Sequence, residues 1–390
     1  MDRAGKGYPW RFSAFIMAYY VANAVYQGYI AKYYDAVGIG LTQLSVLMAA
    51  MPLVSIGMQP VWGMLGDRFP SRNAVLRAMI AISGALLLVY RVSNSFVWLL
   101  AVSTLFSAAY TSIQPMGDSI VLESLHGAGR PFGPLRLTGC LSFAVMNLAF
   151  GFILEGRYQL SPILTAVMLA LTFAATYALP PTAGHQSDGR KMNVMALLGR
   201  RDLMGLLLLL MVLQLTMGYY YSYFPLHFTA MPGGSTRLLG LSFFISATSE
   251  VPFLLNADRL FKKLGAGRLM CISALACTLR WVTLAFTDNV VLVLISQVFH
   301  GWGFIVMTVS MSMYVNQTVP PELKASGQML LAVVGFGLAR AFGILGGGLL
   351  SGALGGIRGG FWLMAAISGA ALAAFTPIYW RAAPLNGERR

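Results

Sequence analysis

An all-α membrane protein, with twelve transmembrane helices in two pseudo-symmetric six-helix halves, is the fold class this sequence predicts. Three observations predict it. Of the 390 residues, 57% are hydrophobic and 10% are charged, and the mean hydropathy is +0.69, which no ordinary soluble domain tolerates. The apolar residues fall into twelve runs, each near the roughly 20 residues that a bilayer-crossing helix needs. The two halves of the chain also repeat the same features in the same order.

Taken in order, the first run covers 10–32 and contains "VYQGYIAKYY". Tyr26, Tyr29 and Tyr33, three and four residues apart, share a helical face, with Asn23 and Gln27 nearby. The second run, 41–65, ends in a basic loop, "GMLGDRFPSR" (63–72). The third is 74–91. The fourth, 96–124, contains Asp118 in "IQPMGDSIVLES". A carboxylate there is costly without a partner, an aqueous cavity or a function. The fifth run, 133–155, carries Arg136, Cys140 and Phe143, and the sixth is 159–180. The seventh, 203–229, opens on "LMGLLLLLMVLQL", apolar all round rather than amphipathic, and closes on Tyr219, Tyr220, Tyr223 and Phe224. Then come 238–257 with Glu250, 268–286 with Arg280, 290–317 with His300, 324–350 with Arg340, and 358–380. Gly343, Gly347 and Gly348 in the eleventh run suit close helix packing.

The net charge of +14 is a topology signal rather than a nucleic-acid footprint. With the N-terminus cytosolic, the cytoplasmic loops and termini hold 19 of the 27 Lys and Arg residues. The opposite side holds Lys32, Arg91, Arg157, Arg237 and Arg358. That bias is positive-inside and predicts cytoplasmic termini in a multi-pass bacterial inner-membrane protein. The polar opening "MDRAGKGYPW" is not expected to be a removable signal peptide. Cys140, Cys271 and Cys277 all fall in apolar runs, without metal-ligand spacing. No cofactor or metal is expected. Nor is an enzyme: "GFGLAR" (335–340) lies inside an apolar run with no preceding strand, so it is not a dinucleotide loop.

The repeat is carried by three matches. "GMLGDRFPSR" parallels "NADRLFKKLGAGR" (256–268), each with Asp-Arg followed by basic residues; "GLTQLSVLMAA" parallels "RLLGLSFFISA"; "VYQGYIAKYY" parallels "YYSYFPLHFT". Between them "PPTAGHQSDGRKMN" (180–193) reads as a polar linker. The predicted division is 1–180, a cytoplasmic linker at 181–202, and 203–390. Halves related by an axis along the membrane normal place a solute site between them near the midplane.

"GMLGDRFPSRN" resembles the helix 2–3 loop motif of the major facilitator superfamily, with Gly63, Leu65, Gly66, Asp67, Arg68 and Arg72 at its positions. Pro70 and Ser71 stand where Lys or Gly is usual. The resemblance implies a conformational latch at Gly63, Gly66, Asp67, Arg68 and Arg72, with Asp258 and Arg259 in the second half. An acid at a helix end with arginines beyond it can form charge-assisted hydrogen bonds between helices. Asp118 and "FGPLRLTGCLSFA" resemble the lactose permease group, in which an acid on helix 4 and an arginine on helix 5 form a sugar-binding pair. Asp118, Arg136 and Cys140 fall at matching positions, whereas Phe143 replaces that group's stacking tryptophan. "YYYSYFPLHF", "SEVPFLL", "LRWVTLAF", "FHGWGF" and "VPPELKASGQ" resemble the phenylpropionate permease-like branch.

What the resemblance implies is secondary active transport of a small organic solute, of sugar, nucleoside or aromatic-acid type, with proton symport and alternating access. Asp118, Arg136, Phe143, Tyr26, Asn23 and Tyr223 are the expected solute-binding residues. Glu250, Arg280 and His300 are expected to couple protons, although Gly303 stands where that permease group has a second acid. If protons drive transport, Glu250 or Asp118 carries them, with His300 as a further candidate. The alternatives are drug/proton antiport, for which helix 5 lacks the Gly-Pro-rich motif, and a non-transporting receptor. Expected partners are solute, protons and the lipid bilayer, with no nucleic acid, and the expected state is a monomer.

Overall fold

A computed structural model describes residues 9–127, 129–183, 197, 199–320 and 323–380. Most of the expected linker, with Arg190 and Lys191, lies outside the described residues, as do Arg3, Lys6 and the last ten residues. Among the described residues the structure is helical, without strands. The helices are α1 Ser13–Ala36, α2 Leu41–Arg68, α3 Arg72–Val89, α4 Phe96–Tyr110, α5 Ile113–Gly127, α6 Gly133–Ile153 and α7 Ser161–Ala175. Next come α8 Arg201–Ala230, α9 Thr236–Thr248, α10 Val251–Phe286, α11 Val290–Ser296, α12 Val306–Thr318, α13 Lys324–Leu330, α14 Arg340–Leu350 and α15 Ile357–Tyr379. Several starts are set by side chains that accept from otherwise unpaired backbone N–H groups: Ser71 for α3, Ser95 for α4, Ser235 for α9 and Asn289 for α11.

Ten helical stretches among the described residues are long and apolar enough to cross a membrane. One of them, Thr236–Phe286, runs for 51 residues, about twice what a bilayer needs. Inside it Gly265 takes φ 73°, ψ 165°, a left-handed conformation that a residue with a Cβ resists. The 24-residue α1, rich in Tyr and carrying Asn23 and Gln27, is not among the ten. The outward faces expose Val97, Leu105, Phe152, Leu255, Phe342 and Leu349, as a helix against lipid tails requires.

Several spans are interrupted. The run 96–124, expected as one segment, is two helices, α4 and α5. Pro115 has no N–H to donate to the carbonyl of Thr111, and Gln59 Nε2 of α2 donates to it instead at 3.2 Å. Trp62 Nε1 donates to the carbonyl of Ala108 at 2.6 Å. Pro252 has the same effect between α9 and α10, leaving Ser249 and Glu250 in a turn. There Ser249 Oγ accepts from the backbone N–H of Gly301 at 2.9 Å. Gly301–Ile305 and Leu331–Ala339 are π-helical, a geometry frequent at functional sites.

α1 packs on α6 and α7, α2 on α4, and α3 on α4 and α7; later in the chain α10 packs on α12 and α15, and α8 on α14 and α15. The two sets meet most extensively where α9 lies on α6 and α14 on α2, and also between α2 and the Leu331–Ala339 segment. The two most extensive meetings have glycine at the crossing. A Cβ on Gly151 would stand 2.8 Å from the Thr236 carbonyl and 3.1 Å from the Gly240 Cα. A Cβ on Gly240 would stand 2.6 Å from the Asn147 carbonyl. Gly348 similarly abuts Ser45 and the Leu41 carbonyl. These contacts share one end of the bundle, where Tyr158 also bonds Thr236 across the sets at 2.6 Å. Toward the end that carries Asp67, a cavity separates α2 (Ser55, Gln59, Pro60) from Gln328, Met329 and Ala332. The bundle is thus sealed at the Gly240 end and looser at the Asp67 end.

Candidate functional site

Glu250, His300 and Arg340 sit beside these interruptions, and they converge with Arg136 on one cavity. A cavity of ≈380 Å³ lies between the two sets of helices. Its lining includes Tyr20, Asn23, Gln27, Gln114, Arg136, Cys140 and Phe143 on one side, and Tyr220, Tyr221, Phe243, Ser246, Glu250, His300, Phe304 and Arg340 on the other.

On the first side, Arg136 Nη1 donates to Asp118 Oδ2 at 3.4 Å. Gln114, one turn before Asp118 on α5, donates to the same oxygen at 3.4 Å and to Tyr20 Oη at 3.2 Å. The Arg136 guanidinium also lies 5.1 Å from the centre of the Tyr20 ring. Asp118 stands behind this layer: Arg136 and Gln114 line the cavity, Asp118 does not. Its place is therefore to hold the groups that meet the cavity. Removing one partner leaves the other poorly compensated. Asp118→Ala and Arg136→Ala are each expected to lower the melting temperature of the purified protein more than the double replacement does. The coupling is expected at about 1 kcal/mol, the low part of the range for contacting residues, because Arg136 is partly open to the cavity. Additive losses would show that the pair does not act as a unit.

On the second side, Glu250 Oε1 lies 3.5 Å from His300 Nε2, which is also 3.3 Å from Tyr221 Oη. Arg280 Nη1 lies 2.7 Å from His300 Nδ1. Arginine has only donors, so Nδ1 is the acceptor, and the proton of the neutral ring is on Nε2, toward Glu250. Arg280 also donates to Gln297 Oε1 and lies over the Tyr220 ring at 3.9 Å. Fully buried, it is absent from the cavity lining and positions His300 from behind.

Other expected site residues are placed as follows. Asn23 lines the cavity and accepts from Tyr110 Oη at 3.1 Å. Phe143 lines it too. Tyr26 packs on Phe106 and Tyr110, ring centres 4.7 and 5.5 Å apart, and lines a neighbouring cavity of ≈240 Å³. Tyr223 is placed differently: its hydroxyl donates to the Ile344 carbonyl at 2.8 Å, its ring packs on Tyr219, and it lines neither cavity. The face it shares with Tyr219 turns toward α14. Gln114, Tyr20, Tyr221 and Phe304 were not anticipated; uncharged residues in an apolar run give little signal of which surface they meet.

At the Asp67 loop, Arg72 reaches Asp67 at 3.6 Å, Glu123 of α5 at 3.1 Å and Ser119 at 3.2 Å. Gly66 is buried against Met116, Gly63 faces open space, and Arg68 is exposed. Asp258 and Arg259 are exposed, and among the described residues neither forms an ion pair. The two loops thus differ in what they hold together.

Comparison with known proteins places this architecture. The sequence profile of the MFS_1 like family matches residues 9–359. The chain is 30% identical over 313 residues to the maltose permease of Geobacillus stearothermophilus, covering 78% of this chain and 77% of the permease. It is 23% identical over 359 residues to the nucleoside permease NupG of Escherichia coli (strain K12), covering 83% and 81%. A crystal structure of nucleoside transporter NupG superposes with a TM-score of 0.86 at 16% identity, covering 95% of this chain and 99% of that one.

Proposed function

We propose a function from one premise: this chain belongs to the MFS_1 like family and is a multi-pass membrane transporter, not an enzyme. It imports a small ring-bearing organic solute, of the sugar, nucleoside or aromatic-acid type, by proton symport with alternating access. The observation that carries this reading is the cavity between the two sets of helices. It has a paired Arg136 on one wall and the Glu250–His300 couple on the other. Aromatic walls with a few oriented polar groups suit a solute of that kind. Intramembrane ionisable groups beside a cavity are functional by default.

In this reading the chain has twelve spans. Helix α1 is the first, α4 and α5 together form the fourth, and the 51-residue stretch counts as two, turning near Gly265. Residues 1–180 and 203–390 form the two halves, and the Asp67 loop faces the cytoplasm with both termini. Sealed at the Gly240 end, the conformation is inward-facing. Arg72, joined to Asp67 and Glu123, is the latch that steadies this state. The test is uptake into proteoliposomes with an imposed pH gradient, acid outside. A panel of radiolabelled hexoses, nucleosides and aromatic acids should yield one class that accumulates and alkalinises the outer medium as it enters. Efflux driven by inward proton flow would replace symport by antiport, and proton movement with no member of the panel would reject this solute class.

A further inference from the structure

Three arginines lie inside the spans near the cavity, and two of them are accounted for. Arg136 meets Asp118; Arg280 donates to His300, Gln297 and Ser246. Arg340 differs. Among the described residues no carboxylate lies within ion-pair distance of it. Its Nε donates to Gln214 Oε1 at 2.9 Å, while its buried Nη2 has no hydrogen-bond partner. Gln214 Nε2 is buried and unpartnered as well. The guanidinium is instead surrounded by rings: Phe336 at 5.0 Å, Tyr221 at 5.4 Å and Phe304 at 5.5 Å. A guanidinium has five N–H donors, and a cation in this setting is expensive without a counter-charge.

Its location says what the counter-charge is. Arg340 lines both the ≈380 Å³ cavity and the ≈240 Å³ cavity beside it, and shares that partition with Gln27, Gln114 and Tyr221. A solute in the first cavity therefore meets Arg340 at its far wall, as the one cation there without an acid. We propose that the transported solute is a monoanion, a carboxylate on a ring-bearing body, whose charged end is received by Arg340. This rests on the reading of the cavity as the solute path. A carboxylate suits one guanidinium with a free edge, held among apolar rings. A phosphate dianion would call for a second cation beside Arg340, whereas Arg280 is absent from the cavity lining and Arg136 is already paired with Asp118. The rings of Tyr221 and Phe304 then flank the anion, and the aromatic and amide groups of the larger cavity hold the body.

The test uses the purified full chain and matched probes: phenylacetate against phenylacetamide, and glucuronate against glucose. In titration calorimetry, the carboxylate of at least one pair should bind about tenfold or more tighter than its neutral partner. Arg340→Gln should weaken the carboxylate by about 10- to 100-fold, the range for a hydrogen bond to a charged group, and leave the neutral partner nearly unchanged. Without ligand, Arg340→Gln should melt at or above the wild-type temperature, because it removes an uncompensated charge. Neutral probes binding as well as the anions, or an equal loss for both, would overturn the inference and leave the transporter reading intact. A lowered melting temperature with an unchanged affinity ratio would make Arg340 a packing residue and overturn it too. Binding of no probe to the wild type would reject the cavity as a ring-solute site and the inference with it.

Discussion

Replacing Glu250 by Gln is expected to abolish proton-driven accumulation, so that solute in proteoliposomes only equilibrates, while exchange of internal for external solute continues. The reason is the direction of the hydrogen bonds. Arg280 holds His300 Nδ1 as an acceptor at 2.7 Å, so a second proton on the ring would break that bond and set two cations together. His300 is therefore a fixed neutral donor whose Nε2 faces Glu250 at 3.5 Å. The exchangeable proton is left to Glu250, which meets the cavity directly. Gln keeps the size and much of the hydrogen bonding but cannot release a proton. With one proton per solute, a gradient of one pH unit supplies about 1.4 kcal/mol, or about tenfold accumulation. In Glu250→Gln that ratio should fall to about one. Uphill uptake retained by the variant would move the proton site to Asp118.

The apolar helices and the charges within them were legible in the sequence because both are local signals, although ten stretches, not twelve, are long and apolar enough to cross a membrane among the described residues. An apolar run of sufficient length shows itself, and a charge inside it stands out against hydrocarbon, so Asp118, Arg136, Glu250, Arg280 and His300 could each be named. What such signals lack is direction. Helical spacing put Tyr219 and Tyr223 on one face without saying that this face meets α14, so Tyr223 was expected to bind solute but lines neither cavity. Asp118 was expected to touch solute; Gln114 and Arg136 line the cavity and Asp118 does not. Arg340 was visible as an intramembrane charge, yet its surroundings come from Tyr221, Phe304 and Phe336 on three separate segments. Its lack of an acid is a tertiary fact. The break after Tyr110 was also out of reach: Pro115 lies within the apolar run, and the donor that replaces its missing bond, Gln59, comes from α2.

A bulky residue at Gly240 is expected to stop transport nearly completely while leaving solute binding in place. At that position α9 and α6 cross backbone to backbone, so that even a Cβ would stand 2.6 Å from the Asn147 carbonyl and 3.0 Å from the Gly151 Cα. Neither neighbour is a flexible side chain that can move aside. An indole there, in Gly240→Trp, forces the helices apart at the sealed end and favours the state open on that side. Cys140 reports the change, because it lines the cavity, whereas Cys271 and Cys277 are buried in helix packing. In a chain with Cys271 and Cys277 replaced by Ala, a membrane-impermeant maleimide added outside intact cells should label Cys140 slowly. Adding Gly240→Trp should speed labelling by about tenfold or more, equivalent to a shift of about 1.4 kcal/mol between the two states. Binding survives because Gly240 lies outside the cavity lining; transport does not, because the seal can no longer form. Unchanged labelling together with normal uptake would mean that this end need not open, and that the solute takes another path through the protein.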